Sequence, residues 1–186
     1  MANNNNWKTP PEVFAYYDAT YKFVLDAAAT SKNNLCDIYY TEEMDCLKLN
    51  WASDVKPGKY SWLNPPYSRP LPFVRKALAE SRLNGVGIVL LLNCDMSVEW
   101  SKLLTEIQCE LQMFTASGLK KHDTYKNGRI AFLNDFNRPA DGNAKGQMVA
   151  VIPPYVRWGV PTTKYIPLTT IMADGAKIIE RKEVAA

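Results

Sequence analysis

Four consecutive residues, Asn64-Pro65-Pro66-Tyr67, carry the most specific chemistry in the sequence. Two successive prolines fix φ twice and remove two backbone N–H donors, so this corner is rigid and rich in acceptors. The Asn64 side-chain oxygen and the Pro65 carbonyl can together accept two hydrogen bonds from an exocyclic amine. Tyr67 adds a flat π-face on which a planar base can stack. A planar amine held this way is presented to an electrophile. The chain contains its own control, since Pro153-Pro154-Tyr155 repeats the triplet after a second expected strand. There Ile152 replaces the asparagine, the amine acceptor is missing, and the copy reads as a turn.

Other reactive side chains are sparse. His122 is the single histidine, and Cys36, Cys46, Cys94 and Cys109 form no CxxC pair. This is a poor ligand set for a metal, and the thiols read as buried or incidental in a reducing compartment. No Ser–His–Asp or Cys–His arrangement suggests itself, so a protein nucleophile is not expected. The formal charge of +3 is mild. Its distribution says more: Lys120, Lys121, Lys126 and Arg129 face only Asp123 between Ser117 and Arg129. Such a loop either contacts phosphates or is simply solvated.

The elements that must position Asn64 can be read from the pattern. The 186 residues, 47% of them hydrophobic, suit one packed domain. Its expected extent is residues 1–160 with a short N-terminal arm, followed by a weakly patterned extension over 161–186. Thr9-Pro10-Pro11-Glu12 reads as a capping box, with Thr9 as N-cap, and Val13, Phe14, Tyr17 and Tyr21 continue on one helical face. Phe23-Val24-Leu25 is a buried strand ending in Asp26, and Ile38-Tyr39-Tyr40 is another. Tyr60-Ser61-Trp62-Leu63 runs as a strand into Asn64. A helix is predicted over Phe73–Leu83, then a continuous apolar strand over Val86–Leu92, the pattern of a parallel strand covered on both faces. Ser97 caps a further helix whose stripe is Trp100, Leu103, Leu104, Ile107 and Leu111. Arg129–Leu133 and Gln147–Ile152 read as two strands around a polar loop.

The apolar run Val86–Leu92 is far shorter than the about 20 residues that span a bilayer. Met1-Ala2-Asn3-Asn4-Asn5-Asn6 lacks the basic-then-apolar order of a signal peptide. A membrane is therefore not an expected partner. Alternating strands and helices closed by a terminal strand pair imply an α/β fold with a mostly parallel sheet. Ligands of such sheets bind at the carboxyl ends of the strands, so Asp26 and Asn64 are expected to line one crevice.

Four segments in order resemble a family: Trp7-Lys8-Thr9-Pro10-Pro11, Leu25-Asp26-Ala27-Ala28-Ala29-Thr30, Asn64-Pro65-Pro66-Tyr67-Ser68 and Gly128-Arg129-Ile130-Ala131-Phe132. Over residues 7 to 152 the chain is similar to the small phage-type Dam DNA adenine N6-methyltransferases. The resemblance implies a compact Rossmann-like fold, S-adenosylmethionine as cofactor, double-stranded DNA as partner, and the bacterial host cytoplasm as location. It implies that Asn64, Pro65, Pro66 and Tyr67 hold the flipped target adenine for direct methyl transfer. It also implies that Asp26, Ala28 and Asn64 contact the cofactor, that Thr9 and Pro10 seat its methionine end, and that Asp45, or else Glu42 or Glu43, lies near its adenine. Ser68 and Arg69, next to the motif, and Lys120, Lys121 and Arg129 are the expected DNA contacts, and the loops Ser117–Asn127 and Asn134–Lys145 are candidates for groove or phosphate contact.

Two features depart from that pattern. Ala27-Ala28-Ala29 stands where a glycine-rich loop is usual, and only 38 positions separate Asp26 from Asn64. Alternatives therefore stay open: a methyltransferase of RNA or of protein glutamine, which the same amine logic would serve, or a catalytically silent nucleic-acid-binding module of this fold.

Overall fold

The computed structural model describes residues 7–117, 127–134, 136–140 and 143–185. Seven strands form one sheet in the order β2-β1-β3-β4-β6-β5-β7. They are β1 (Leu25–Asp26), β2 (Ile38–Tyr39), β3 (Tyr60–Leu63), β4 (Gly87–Asn93), β5 (Glu110–Thr115), β6 (Gln147–Ile152) and β7 (Thr162–Pro167). β6 runs antiparallel to both neighbours, β4 and β5, while every other pairing is parallel. The α/β class and the mostly parallel sheet agree with the sequence pattern.

Strand parity divides the interior into two cores. In β4, Ile88, Leu90 and Leu92 enter one cluster, whereas Val89 and Leu91 enter the other. The first cluster takes in Val74, Ala77 and Leu78 of α2 (Leu71–Asn84) and Leu104 of α3 (Glu99–Thr105). The second takes in Val13 and Tyr17 of α1 (Pro11–Tyr21) with Leu168, Ile171 and Met172 of α4 (Leu168–Val184). This gives three layers, with helices on both faces of the sheet. Each fully buried leucine, isoleucine or valine here contributes about 1.5–3 kcal/mol of transfer free energy.

Helix boundaries follow local chemistry. Pro10 takes the N-cap position of α1 and Pro11 its first turn, and Lys22, left-handed at φ 52°, ends it. Gly85, at φ 65°, ends α2. The expected side-chain caps are absent. Thr9 makes no cap bond to α1, and its hydroxyl is used elsewhere. Val98 rather than Ser97 caps α3, because the Ser97 hydroxyl donates to Asp95 at 2.6 Å.

Three further expectations give way. Leu111, assigned to the helical stripe, lies in β5, which begins five residues after α3 ends. Arg129–Leu133 is not a strand. Leu133 makes isolated bridges to Lys8 and Pro139, so the partners of β6 are β4 and β5 instead. The weakly patterned tail supplies an edge strand, β7, and a 17-residue helix, α4. Gly175 lets α4 approach α1 so closely that a Cβ there would overlap the backbone of Glu12. Lys182 and Asp18 pair at 3.1 Å across the same contact.

Candidate active site

The parallel register brings the sequence-predicted residues to one edge of the sheet. Leu25 pairs with Ser61 and Asp26 with Trp62, so the chain leaves β1 and β3 side by side at their carboxyl ends. Asn64 follows β3 directly. Its side chain meets Thr9, whose hydroxyl accepts a hydrogen bond from Asn64 Nδ2 at 3.2 Å. Asn64 Oδ1 is buried and has no hydrogen-bond partner among the described residues. A buried acceptor left open is unusual and points to a ligand donor. Pro65 is buried behind it.

The segment before α1 is held over this corner. The N–H of Lys8 donates to the Leu133 carbonyl at 2.8 Å, and the N–H of Leu133 donates back at 2.9 Å. Trp7 stacks on Phe132 with centroids 5.4 Å apart, and Tyr67 meets the same ring edge-on at 5.6 Å. Tyr67 is thus packed against Phe132, and its hydroxyl is buried with no partner among the described residues. Burial pushes that hydroxyl well above the usual tyrosine range. The Gly128–Phe132 segment is anchored from beneath by Gln147, fully buried, whose Oε1 accepts the Ile130 N–H at 2.8 Å. Gly128, at φ 60°, passes so near β5 that a Cβ would lie 2.6 Å from the Thr115 carbonyl carbon.

Two adjoining cavities open at Asn64. The larger, about 230 Å³, is walled by the Ala27–Thr30 run, Tyr40, Asp45, Pro66 and Phe73. The smaller, about 30 Å³, lies among Lys8, Thr9, Asp26, Trp62 and Leu35. Ala28, Asn33 and Asn64 belong to both walls. Glu42 also lines the larger cavity, while Glu43 does not. Pro10 is on neither wall and serves to start α1.

Asp26 is almost fully buried. Its carboxylate accepts the N–H of Leu35 at 3.1 Å and of Ala28 at 3.4 Å, folding the loop after β1 around it. Desolvation raises its pKa to about 6, against the lowering effect of these two bonds. Asp45 adopts a left-handed φ of 55° and pairs with Lys48 at 2.9 Å, which holds its carboxyl below the usual range.

Of the expected DNA contacts, Ser68, Arg69 and Arg129 are exposed. Lys120 and Lys121 lie outside the described residues, as do most of the Ser117–Asn127 loop and parts of the Asn134–Lys145 loop. Among the described residues no cluster of three or more His, Cys, Asp or Glu side chains is placed to hold a metal, and no helix is long and apolar enough to cross a membrane.

Sequence reading passed over Trp62. It stands in β3 two residues before Asn64, and both residues line the smaller cavity.

Comparison with known proteins decides the family. The family model described as DNA N-6-adenine-methyltransferase (Dam) matches residues 1–178. The chain belongs to the Dam family. A DNA N-6-adenine-methyltransferase of Escherichia phage T1 is 36% identical over 170 residues, covering 89% of this chain and 69% of the relative. One from Haemophilus phage HP1 (strain HP1c1) is 33% identical over 172 residues, covering 91% and 90%. No solved structure matches the chain. Membership in the Dam family makes this an adenine-specific DNA methyltransferase, and favours it over the RNA, protein and silent-module alternatives.

Proposed function

We propose that the chain transfers a methyl group from S-adenosylmethionine to the N6 amine of an adenine flipped out of double-stranded DNA, at the Asn64-Pro65-Pro66-Tyr67 corner. The observation that carries this reading is the buried Asn64 Oδ1, which has no partner among the described residues and sits where two cavities meet. One cavity has room for a nucleoside and the other for a small charged group, a pairing that suits the two arms of this cofactor. Glu42 and Asp45 offer carboxylate acceptors to hydroxyl or amine donors in the larger space. The Ala27–Ala29 run lets backbone approach the ligand closely without a glycine-rich loop. When bound, the cofactor supplies an electrophilic sulfonium methyl.

The protein's part is mainly positioning. Asn64 Oδ1 and the Pro65 carbonyl accept the two N6 hydrogens, which favours a pyramidal, more nucleophilic nitrogen. Thr9 holds the Asn64 amide so that its oxygen, not its nitrogen, faces the amine. Tyr67, braced by Phe132, offers its ring to the flipped base and offsets part of the few kcal/mol that flipping costs. Ser68, Arg69, Lys120, Lys121 and Arg129 contact the DNA backbone. Catalysis takes place in the bacterial cytoplasm if, like its relatives, the protein serves a phage.

Tritium transfer from labelled S-adenosylmethionine to unmethylated duplex DNA, followed by nucleoside analysis, tests this. N6-methyladenine should form, and Asn64→Ala should reduce the rate by roughly 100-fold or more. Label entering RNA or protein but not DNA would overturn the substrate assignment.

A further inference from the structure

Trp62 is fully buried, yet its indole Nε1–H has no hydrogen-bond partner among the described residues. An unpaired buried donor costs about 1–3 kcal/mol, and each such group in a native protein asks for an explanation. Two other tryptophans of the chain are accounted for. The Trp51 Nε1–H donates to the Cys46 carbonyl at 2.9 Å, and the Trp158 ring is exposed beneath the Arg82 guanidinium. The Trp62 ring is locked among Phe14, Tyr17 and Phe23, with centroids 5.8, 6.1 and 5.5 Å away, so it does not turn to find a partner.

Trp62 lines the smaller cavity, which has room for one or two water-sized groups and a predominantly polar wall. Asp26 and Lys8 both line that wall, the Lys8 ammonium donating to Asn137 Oδ1 at 3.3 Å. The Asp26 carboxylate accepts the N–H groups of Ala28 and Leu35 and makes no bond to the indole. A small zwitterion complements such a wall, and an acceptor oxygen is what the indole lacks.

We propose that the Trp62 Nε1–H is a cofactor-binding donor, hydrogen-bonding the carboxylate of the cofactor's amino-acid end in the cavity between Thr9 and Asp26. This rests on the reading of S-adenosylmethionine as cofactor. The methyl group must lie beside Asn64, where the amine is held. The two arms diverging from the sulfur then divide between the two cavities by size. The nucleoside needs the larger, and the smaller is left for the carboxylate of the amino-acid arm.

Calorimetry with two probes tests the assignment: S-adenosylhomocysteine, which carries the amino-acid end, and 5′-methylthioadenosine, which lacks it. Wild type should bind both. Trp62→Phe keeps an aromatic ring without the donor, and should bind S-adenosylhomocysteine about 10-fold more weakly while holding 5′-methylthioadenosine within twofold. Undiminished S-adenosylhomocysteine affinity in the variant overturns the proposal. Failure of wild type to bind either probe removes the cofactor reading itself, and this inference with it. If the variant weakens toward both probes alike, the wild-type indole N–H resonance of Trp62 decides. It should shift with S-adenosylhomocysteine and stay in place with 5′-methylthioadenosine, and equal shifts with both overturn the proposal.

Discussion

The Asn64 amide nitrogen donates to the Thr9 hydroxyl at 3.2 Å, joining residues 55 apart in sequence. This bond sets which end of the amide faces the cavity. Thr9→Val removes the acceptor with little change of shape and lets the amide turn over. The expected outcome is a drop in kcat of about 10-fold, the size of one neutral hydrogen bond. Thr9→Ser should restore most of the rate. Steady-state kinetics on duplex DNA distinguishes this from a cap effect, which would lower the melting temperature and spare kcat.

The buried carboxyl of Asp26 gives stability a pH dependence. Its pKa is raised to about 6 in the folded protein, above the ordinary aspartate value. The folded state therefore holds the proton more tightly than the unfolded chain. The contribution is fully present below about pH 4 and is lost as pH rises through 6. It amounts to on the order of 3 kcal/mol for a shift of about two units. In urea unfolding, wild type should lose stability relative to Asp26→Asn between about pH 4 and 7, with the difference constant above that. A flat difference over that window would show that Asp26 titrates normally.

Gly175 has no side chain where α4 crosses α1, and added bulk there meets the Glu12 backbone. Alanine is favoured in helices by about 1 kcal/mol, but overpacking against rigid backbone costs about 1–3 kcal/mol. The overlap should win, so Gly175→Ala is expected to lower Tm by several degrees, at about 2–4 °C per kcal/mol for a chain of this size. A higher Tm on thermal denaturation would mean that α4 shifts freely over α1.

Lys120 and Lys121 are proposed to contact phosphates. Replacing both by alanine should weaken DNA binding whatever the sequence, and should reduce the slope of log K against log salt by about 2. Fluorescence anisotropy titrations at several salt concentrations measure the slope directly, and an unchanged slope places these lysines away from DNA.

How much was legible in the sequence depended on how each element is buried. β3 was bounded to the residue because its run stops at Asn-Pro-Pro. β4 was legible because both its faces are covered, so nothing interrupts the apolar run. β5 was hidden because Leu111 falls four residues after Ile107 and so extends the helical stripe, while polar Glu110 and Gln112 obscure a strand. β7 is an exposed edge strand, and such strands carry little hydrophobic signal. Arg129–Leu133 alternates like a strand, but Ile130 and Phe132 are buried beneath the aromatic cluster around Trp7 instead. At the site, Asn64, Asp26 and the Ala27–Ala29 run could be read from motif order. Thr9 was chosen by resemblance and misassigned locally as a cap, since sequence spacing says nothing about a partner 55 residues away.

The pairing of α1 with α4 has a consequence for synthesis. Thr9 precedes α1, and the buried face of α1, Val13 and Tyr17, shares its core with Leu168, Ile171 and Met172. On the ribosome, the corner at Asn64 can form before α4 emerges, while α1, which follows Thr9, still lacks its α4 partners. The packing of the segment that carries Thr9 is therefore complete only once α4 has docked on α1.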